Sequence, residues 1–244
     1  MSKSELKDRK FVFIGAGNMA EALVRGMLRA RLCPASAVRV TDIDGARLKK
    51  FASEYQVAGS ADNADEVKTT DVVVLAVKPQ VLPEVLKGLK GSIPAGALVV
   101  SIAAGISIRA LEGMLADVAR VIRVMPNTPA LVGCGAAAFC CGSQATEEDA
   151  RVVSTMFKSV GIVIRVEEPA MDAVTALSGS GPAYVFYLVE AMLKAGAEMG
   201  LDQLTASALT LATIEGAAHM LVDTGLGPAG PGRKLCEMSS FHNR

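Results

Sequence analysis

The run Gly15-Ala16-Gly17-Asn18-Met19-Ala20 has the spacing G-x-G-x-x-A, directly after the apolar stretch KFVFIG and directly before the helical pattern EALVRGMLRA. The chemistry that suits such a run is anion binding. Gly15 permits a tight turn, Gly17 lets the main chain approach a pyrophosphate, and Ala20 keeps the helix close to the strand layer. The amides of Asn18 and Met19 open a helix whose dipole favours phosphate charge. The same residues would also make a plain strand-to-helix turn, so the dinucleotide reading rests on this strand, turn, helix context.

Further groups follow later strand-like runs. Asp42 comes after AVRVT, where a carboxylate accepts hydrogen bonds from a free ribose 2′-hydroxyl and repels a 2′-phosphate. Arg39, Arg47 and Asp44 stand near it, and a solvated strand-end acid is the competing reading. LAVKPQ closes DVVVLAV, which puts Ala76, Val77, Lys78 and Pro79 at the carboxyl end of a strand, where open α/β sheets bind their ligands. Pro79 is expected to start the next helix. Lys78 reads as a surface or phosphate-facing lysine, with a catalytic acid as the alternative.

SIAAGIS and RVMPNTPALVG lie on the same predicted edge. Two prolines stiffen the segment holding Met125, Pro126, Asn127 and Pro129, which suits a wall against a nicotinamide ring. Asn127 reads either as a ligand that orients cofactor or substrate, or as part of a rigid loop. Ser178, Gly179, Ser180 and Gly181 precede Pro182; this small-residue run leaves amides and hydroxyls open to a carboxylate, or else makes a kink for close helix packing. The histidines, His219 and His242, stand in no metal-binding spacing, and no Ser-His-Asp set is evident. No catalytic acid or base is assigned, and no metal. The chemistry falls to a cofactor, with the protein orienting the reactants.

The elements that must position these groups have two textures. From Lys10 to about Glu168, short β-branched runs alternate with helical segments, as in a doubly wound α/β sheet. From Ala170 to Val222 the pattern is helical, with Leu201, Leu204, Ala208, Leu211, Ala218 and Leu221 at three- and four-residue steps. The expected division is a dinucleotide-binding domain over 1–168 and a smaller helical domain over 169–244. Of the 244 residues 51% are hydrophobic and only 4% aromatic, which suits helices packed on a buried parallel sheet. Lys plus Arg balance Asp plus Glu at 25 each, which argues against nucleic acid or an anionic membrane as partner. No signal-peptide core or membrane span is read. Cys33, Cys134, Cys140, Cys141 and Cys236 show no Cys-x-x-Cys spacing, so reduced thiols in the cytosol are expected.

FIGAGNMAEAL, LAVKPQ, SIAAGIS, RVMPNTPALVG and LSGSGPAYVF, standing in this order, resemble the pyrroline-5-carboxylate reductases from about Lys10 to Leu226. The resemblance implies reduction of L-1-pyrroline-5-carboxylate to L-proline with NADPH or NADH, the last step of proline biosynthesis. It implies a Rossmann-type sheet followed by an all-helical dimerisation domain, hence a homodimer or higher homo-oligomer. By position it implies cofactor contacts at Gly15, Gly17, Asn18, Met19, Asn63, Ala76, Lys78 and Pro79. Ala103, Met125, Pro126 and Asn127 fall near the nicotinamide and the substrate. Asp42 departs from members that carry a small hydroxyl residue for a 2′-phosphate.

Two other functions stand beside this one. A dehydrogenase of the β-hydroxyacid group would need a lysine in the helical domain, and Lys194 lacks the surrounding glycines and asparagine of that group. The second is a nucleotide-binding, self-associating protein without turnover. In the family, the helix matching LTLATIEGAAHMLV leads into a substrate-binding SPGGTT turn and a final helix, whereas here GLGPAGPGRKLCEMSSFHNR follows. The helical domain thus reads as incomplete after about residue 226, and loose packing is expected after about Gly230.

Overall fold

The computed structural model describes residues 6–115 and 120–225. The expectation for the segment after Gly230 therefore lies outside the described residues. In chain order the elements are β1 (Phe11–Ile14), α1 (Asn18–Arg29), β2 (Val38–Thr41), α2 (Gly45–Tyr55), β3 (Ala58–Ser60), α3 (Asn63–Glu66), β4 (Val72–Leu75), α4 (Leu82–Gly88) and β5 (Leu98–Ser101). Then follow α5 (Ile108–Leu115), β6 (Arg120–Met125), β7 (Gly135–Cys141), α6 (Glu147–Lys158), β8 (Gly161–Arg165), α7 (Met171–Val174), α8 (Gly181–Glu198) and α9 (Gln203–Thr224). A π-helical turn, Thr175–Gly179, joins α7 to α8. The chain divides into two compact units, Met1–Pro182 and Ala183–Arg244.

The first unit is a doubly wound, Rossmann-type sheet of eight strands in the order β3-β2-β1-β4-β5-β6-β7-β8. Phe11 and Phe13 of β1 enter one buried cluster with Leu23, Met27, Val40 and Phe157. Val12 and Ile14 enter the other, with Leu75, Leu82 and Leu111. Successive side chains of a strand point to opposite faces, so a continuous apolar run signals helices on both.

Pairing is parallel throughout except between β6 and β7. The segment joining β6 to β7 holds only a 3-10 turn, Thr128–Val132, and is too short for the crossover that a parallel neighbour requires. Strand β3 has no apolar signature: its sequence is AGS at an edge, held only to β2. At the opposite edge, β8 leaves Ile162 and Ile164 exposed.

The expectation for Pro79 is corrected. It lies in a turn closed by Val81 N–H donating to the Lys78 carbonyl at 3.1 Å, and α4 begins at Leu82 with Pro83 in its first turn. A helix begun at Pro79 would need an N–H from residue 83 to reach the carbonyl of residue 79, and proline has none. Beginning at Leu82 puts Pro83 where no N–H is needed.

In the second unit, α8 and α9 approach through small residues. A Cβ added at buried Gly196 would stand 3.3 Å from the Ala206 Cβ. Asp202 caps α9 by accepting from Thr205 N–H at 3.0 Å. The leucine period foreseen over this region is helical, yet Leu204 and Leu211 are 84% and 58% exposed. Tyr184, Phe186 and Tyr187 of α8 are exposed as well.

One interaction ties α6 to the sheet. The Asp149 carboxylate, 1% exposed as a residue, accepts from Thr146 N–H at 2.8 Å in a capping box and pairs with Arg120 Nε at 3.1 Å. Asp149→Ala is expected to cost roughly 2 kcal/mol, less than a fully buried pair because Arg120 stays partly in water. Urea unfolding midpoints of the two proteins check this. Burial pushes the Cys33 and Cys140 thiols up to about 11, whereas Cys134 is exposed. Alkylation at pH 8 followed by peptide mapping is expected to modify Cys134 well before either buried thiol.

Candidate active site

The strand order reverses between β1 and β4, and the carboxyl ends of these two strands form the crevice where open α/β sheets hold ligands. Gly15 follows β1 with φ +100°, and a Cβ there would lie 2.8 Å from the Ala76 carbonyl oxygen that follows β4. Only glycine fits both the backbone angle and that approach. Its N–H donates to the Thr41 carbonyl at 2.8 Å, which stitches the turn to the end of β2.

Gly17 is the N-cap of α1, and no side chain caps that helix end. A Cβ on Gly17 would meet only Arg47 Nη1, at 3.9 Å, so the space above the turn is open. First-turn amides, Asn18 and Met19 among them, therefore face that space as an anion cradle. These residues fit the pyrophosphate of a dinucleotide.

Asp42 is tied into the same turn. Its Oδ2 accepts from Ala16 N–H at 2.8 Å and its Oδ1 from Asp44 N–H at 2.9 Å. Arg47 lies between two carboxylates, 3.6 Å from Asp42 and 3.5 Å from Asp44, in a half-exposed pairing that contributes little to stability. A cleft of ≈ 800 Å³ opens beside this group, with Gly15, Asp42, Ile43, Asn63, Val77 and Val81 in its lining. Asn63 begins α3, whose N-cap Asp62 accepts from Asp65 N–H at 3.0 Å. Lys78 is exposed beyond Val77, with Pro79 after it.

Further along the sheet edge, Ala103 is buried just past β5, and its N–H donates to Ser101 Oγ at 3.4 Å. Met125 ends β6, and Pro126 and Asn127 follow it. The ends of β2, β1, β4, β5 and β6 thus present Asp42, the glycine turn, Ala76 to Pro79, Ala103, and Met125 to Asn127 in that spatial order. Four strand spacings give about 19 Å of edge, a length that suits an extended dinucleotide with room beyond it.

The π-helical turn reaches the β6 end of this row. A Cβ at Gly179 would come within 2.5 Å of Met125 Cε, and the Ser178 carbonyl accepts from Asn127 Nδ2 at 3.1 Å. The small-residue run is therefore part of a wound turn. Ser178 Oγ donates to the Val174 carbonyl at 3.2 Å, Ser180 N–H donates to the Thr175 carbonyl at 2.8 Å, and Gly181 begins α8.

Sequence reasoning passed over two neighbours of this edge. Ile43 is 98% exposed, an apolar side chain at the cleft mouth with no pattern to mark it. Glu168 accepts from Ile108 N–H at 2.7 Å and from buried Arg123 at 3.3 Å, tying the start of α5 to β6. A signal existed for that pair: an arginine inside the apolar run RVIRV, once buried, requires a carboxylate. Among the described residues no cluster of three or more His, Cys, Asp or Glu side chains is arranged for a metal, and no helix is long and apolar enough to cross a membrane.

Comparison with known proteins agrees with both units. Residues 10–105 match a family described as NADP oxidoreductase, coenzyme F420-dependent, and residues 168–237 match pyrroline-5-carboxylate reductase dimerisation. The pyrroline-5-carboxylate reductase of Methanosarcina acetivorans is 40% identical over 223 residues, 91% of this chain and 83% of that protein. The solved pyrroline-5-carboxylate reductase of Coxiella burnetii is similar with a TM-score of 0.85 at 32% identity, covering 96% of this chain and 91% of that one. The Plasmodium falciparum pyrroline carboxylate reductase structure with NADP bound is similar with a TM-score of 0.81 at 30% identity, covering 97% and 92%.

The Gly15 approach generates a direct prediction. Gly15→Ala is expected to weaken NADH and NADPH binding at least about tenfold, because φ +100° and the Ala76 carbonyl leave no place for a methyl. Titration of nicotinamide fluorescence checks it.

Proposed function

The chain belongs to the pyrroline-5-carboxylate reductase family of oxidoreductases, and we propose that it reduces L-1-pyrroline-5-carboxylate to L-proline with NADPH or NADH. The observation that carries the reading is the single carboxyl edge, on which Asp42, the anion cradle at Gly17 and the Met125 to Asn127 segment stand in that order along about 19 Å. Relatives named for this reaction favour it over a nucleotide-binding protein without turnover.

The bound nicotinamide supplies a hydride, and a proton reaches the ring nitrogen as the imine becomes an amine. The protein's own work is placement. Gly15, Gly17, Asn18 and Met19 take the pyrophosphate. Asp42, Ile43 and Asn63 border the adenosine. Ala76, Val77, Lys78 and Pro79 flank the middle, and Ala103, Met125, Pro126 and Asn127 border the nicotinamide end. Ser178, Gly179, Ser180 and Gly181 form the substrate side. An iminium carbon is already electrophilic, so alignment carries most of the catalysis and no histidine is needed.

The helical segment marks a self-associating protein, and we assign it a homodimer or higher homo-oligomer. Exposed Tyr184, Phe186, Tyr187, Leu204 and Leu211 support that assignment, since apolar side chains gathered on two helices gain from being covered. The unbridged buried thiols, Cys33 and Cys140, support a reducing, cytosolic setting.

Oxidation of NADH or NADPH that depends on added imine and yields proline is the expected result. Nicotinamide binding without oxidation would return the reading to the nucleotide-binding protein. Asp42 keeps negative charge beside the ribose position, so Asp42→Ser is expected to lower the ratio of kcat/KM for NADH to that for NADPH. An unchanged ratio would remove Asp42 from cofactor selection.

A further inference from the structure

We propose that Asn127 is a positioning residue: it latches the π-helical turn Thr175–Gly179 to the end of β6 and so sets the substrate side of the site against the nicotinamide side. The inference rests on the reductase reading for its functional consequence, while the latch itself rests on geometry alone.

The local chemistry begins with a break in the winding. Ser178 lies in the last part of the π-helical turn, and α8 begins only at Gly181. Carbonyls at the end of a helical segment have no partner within it and need one from outside. Asn127 supplies a donor from 51 residues away, with Nδ2 3.1 Å from the Ser178 carbonyl oxygen. The other half of the same amide is also engaged, because Oδ1 accepts from Ala136 N–H at 2.8 Å at the start of β7. A carbonyl on one side and an N–H on the other allow only one orientation of the amide.

Asn127 is 9% exposed, so these bonds are made largely away from water, where an unpaired partner is costly. Both ends of the amide are spent on main chain, which leaves the side chain as a strut between three segments. What it holds is one wall of the site. A Cβ at Gly179 would meet the flexible tip of Met125, so the turn packs directly on the side chain that ends β6. π-Helical turns are rare and are found often at functional sites, where the wider winding re-aims backbone groups.

The test uses Asn127→Asp and Asn127→Gln, both in the full chain. Asparagine to aspartate keeps the acceptor for Ala136 and replaces the donor to Ser178 with a carboxylate oxygen. Glutamine keeps both groups at a reach longer by one methylene, and it serves if the aspartate variant does not fold.

The expected result for either variant is faster hydrogen exchange confined to residues 175–181, with the KM for the imine raised on the order of tenfold and the KM for NADH raised by a smaller factor. Imine and NADH KM values raised by the same factor would reduce Asn127 to a general support of the fold and overturn the proposal. So would unchanged exchange in both variants. If the unaltered chain turns over no imine, the reductase reading fails, and the exchange measurements still decide the latch.

Discussion

Everything at the carboxyl edge depends on how closely the turn after β1 approaches the turn after β4. Gly15 lies against the Ala76 carbonyl with no room for a Cβ, and Asp42 holds the next amide of the same turn. That contact sets where α1 begins and leaves its first amides facing open space. The strand reversal at this place creates the crevice, and the glycine lets the two turns close it without filling it. Helices on both faces fix the strands, so the edge is a rigid row of groups rather than a set of loose loops.

The site spends its polar side chains mainly on its own backbone. Asp42 accepts from two amides, Asn127 joins an amide to a carbonyl, and Glu168 joins an amide to a buried arginine. This economy suits hydride transfer to an imine, where alignment governs the rate and a strong acid or base contributes less. Proline enters the same logic at Pro83, where the missing N–H sets where α4 starts.

The second unit follows a different rule. Its two helices meet through Gly196 and Ala206, and their large side chains face outward instead of inward. Helices apolar over most of their circumference are built to be covered, and the match of residues 168–237 to a dimerisation family is consistent with cover from a second copy. The helical period was legible in Leu204 and Leu211, but the period alone does not say whether a partner surface lies in the same chain or another.

Much of the fold was legible because its signals are local. Continuous Val and Ile runs mark strands buried on both faces, and the glycine spacing after KFVFIG marks the phosphate turn without any knowledge of the sheet. Strand β3 was not legible, since AGS carries no pattern, and the antiparallel β7 follows from a connection length rather than from its residues. The sequence by itself determined the alternating architecture, the anion turn and the order of the segments that border the site. Only the tertiary structure decided that Asp42 braces the glycine turn, that Glu168 answers Arg123, and that Asn127 reaches Ser178. Those bonds join residues far apart in the chain, and a donor finds such an acceptor only once the sheet has brought their elements together.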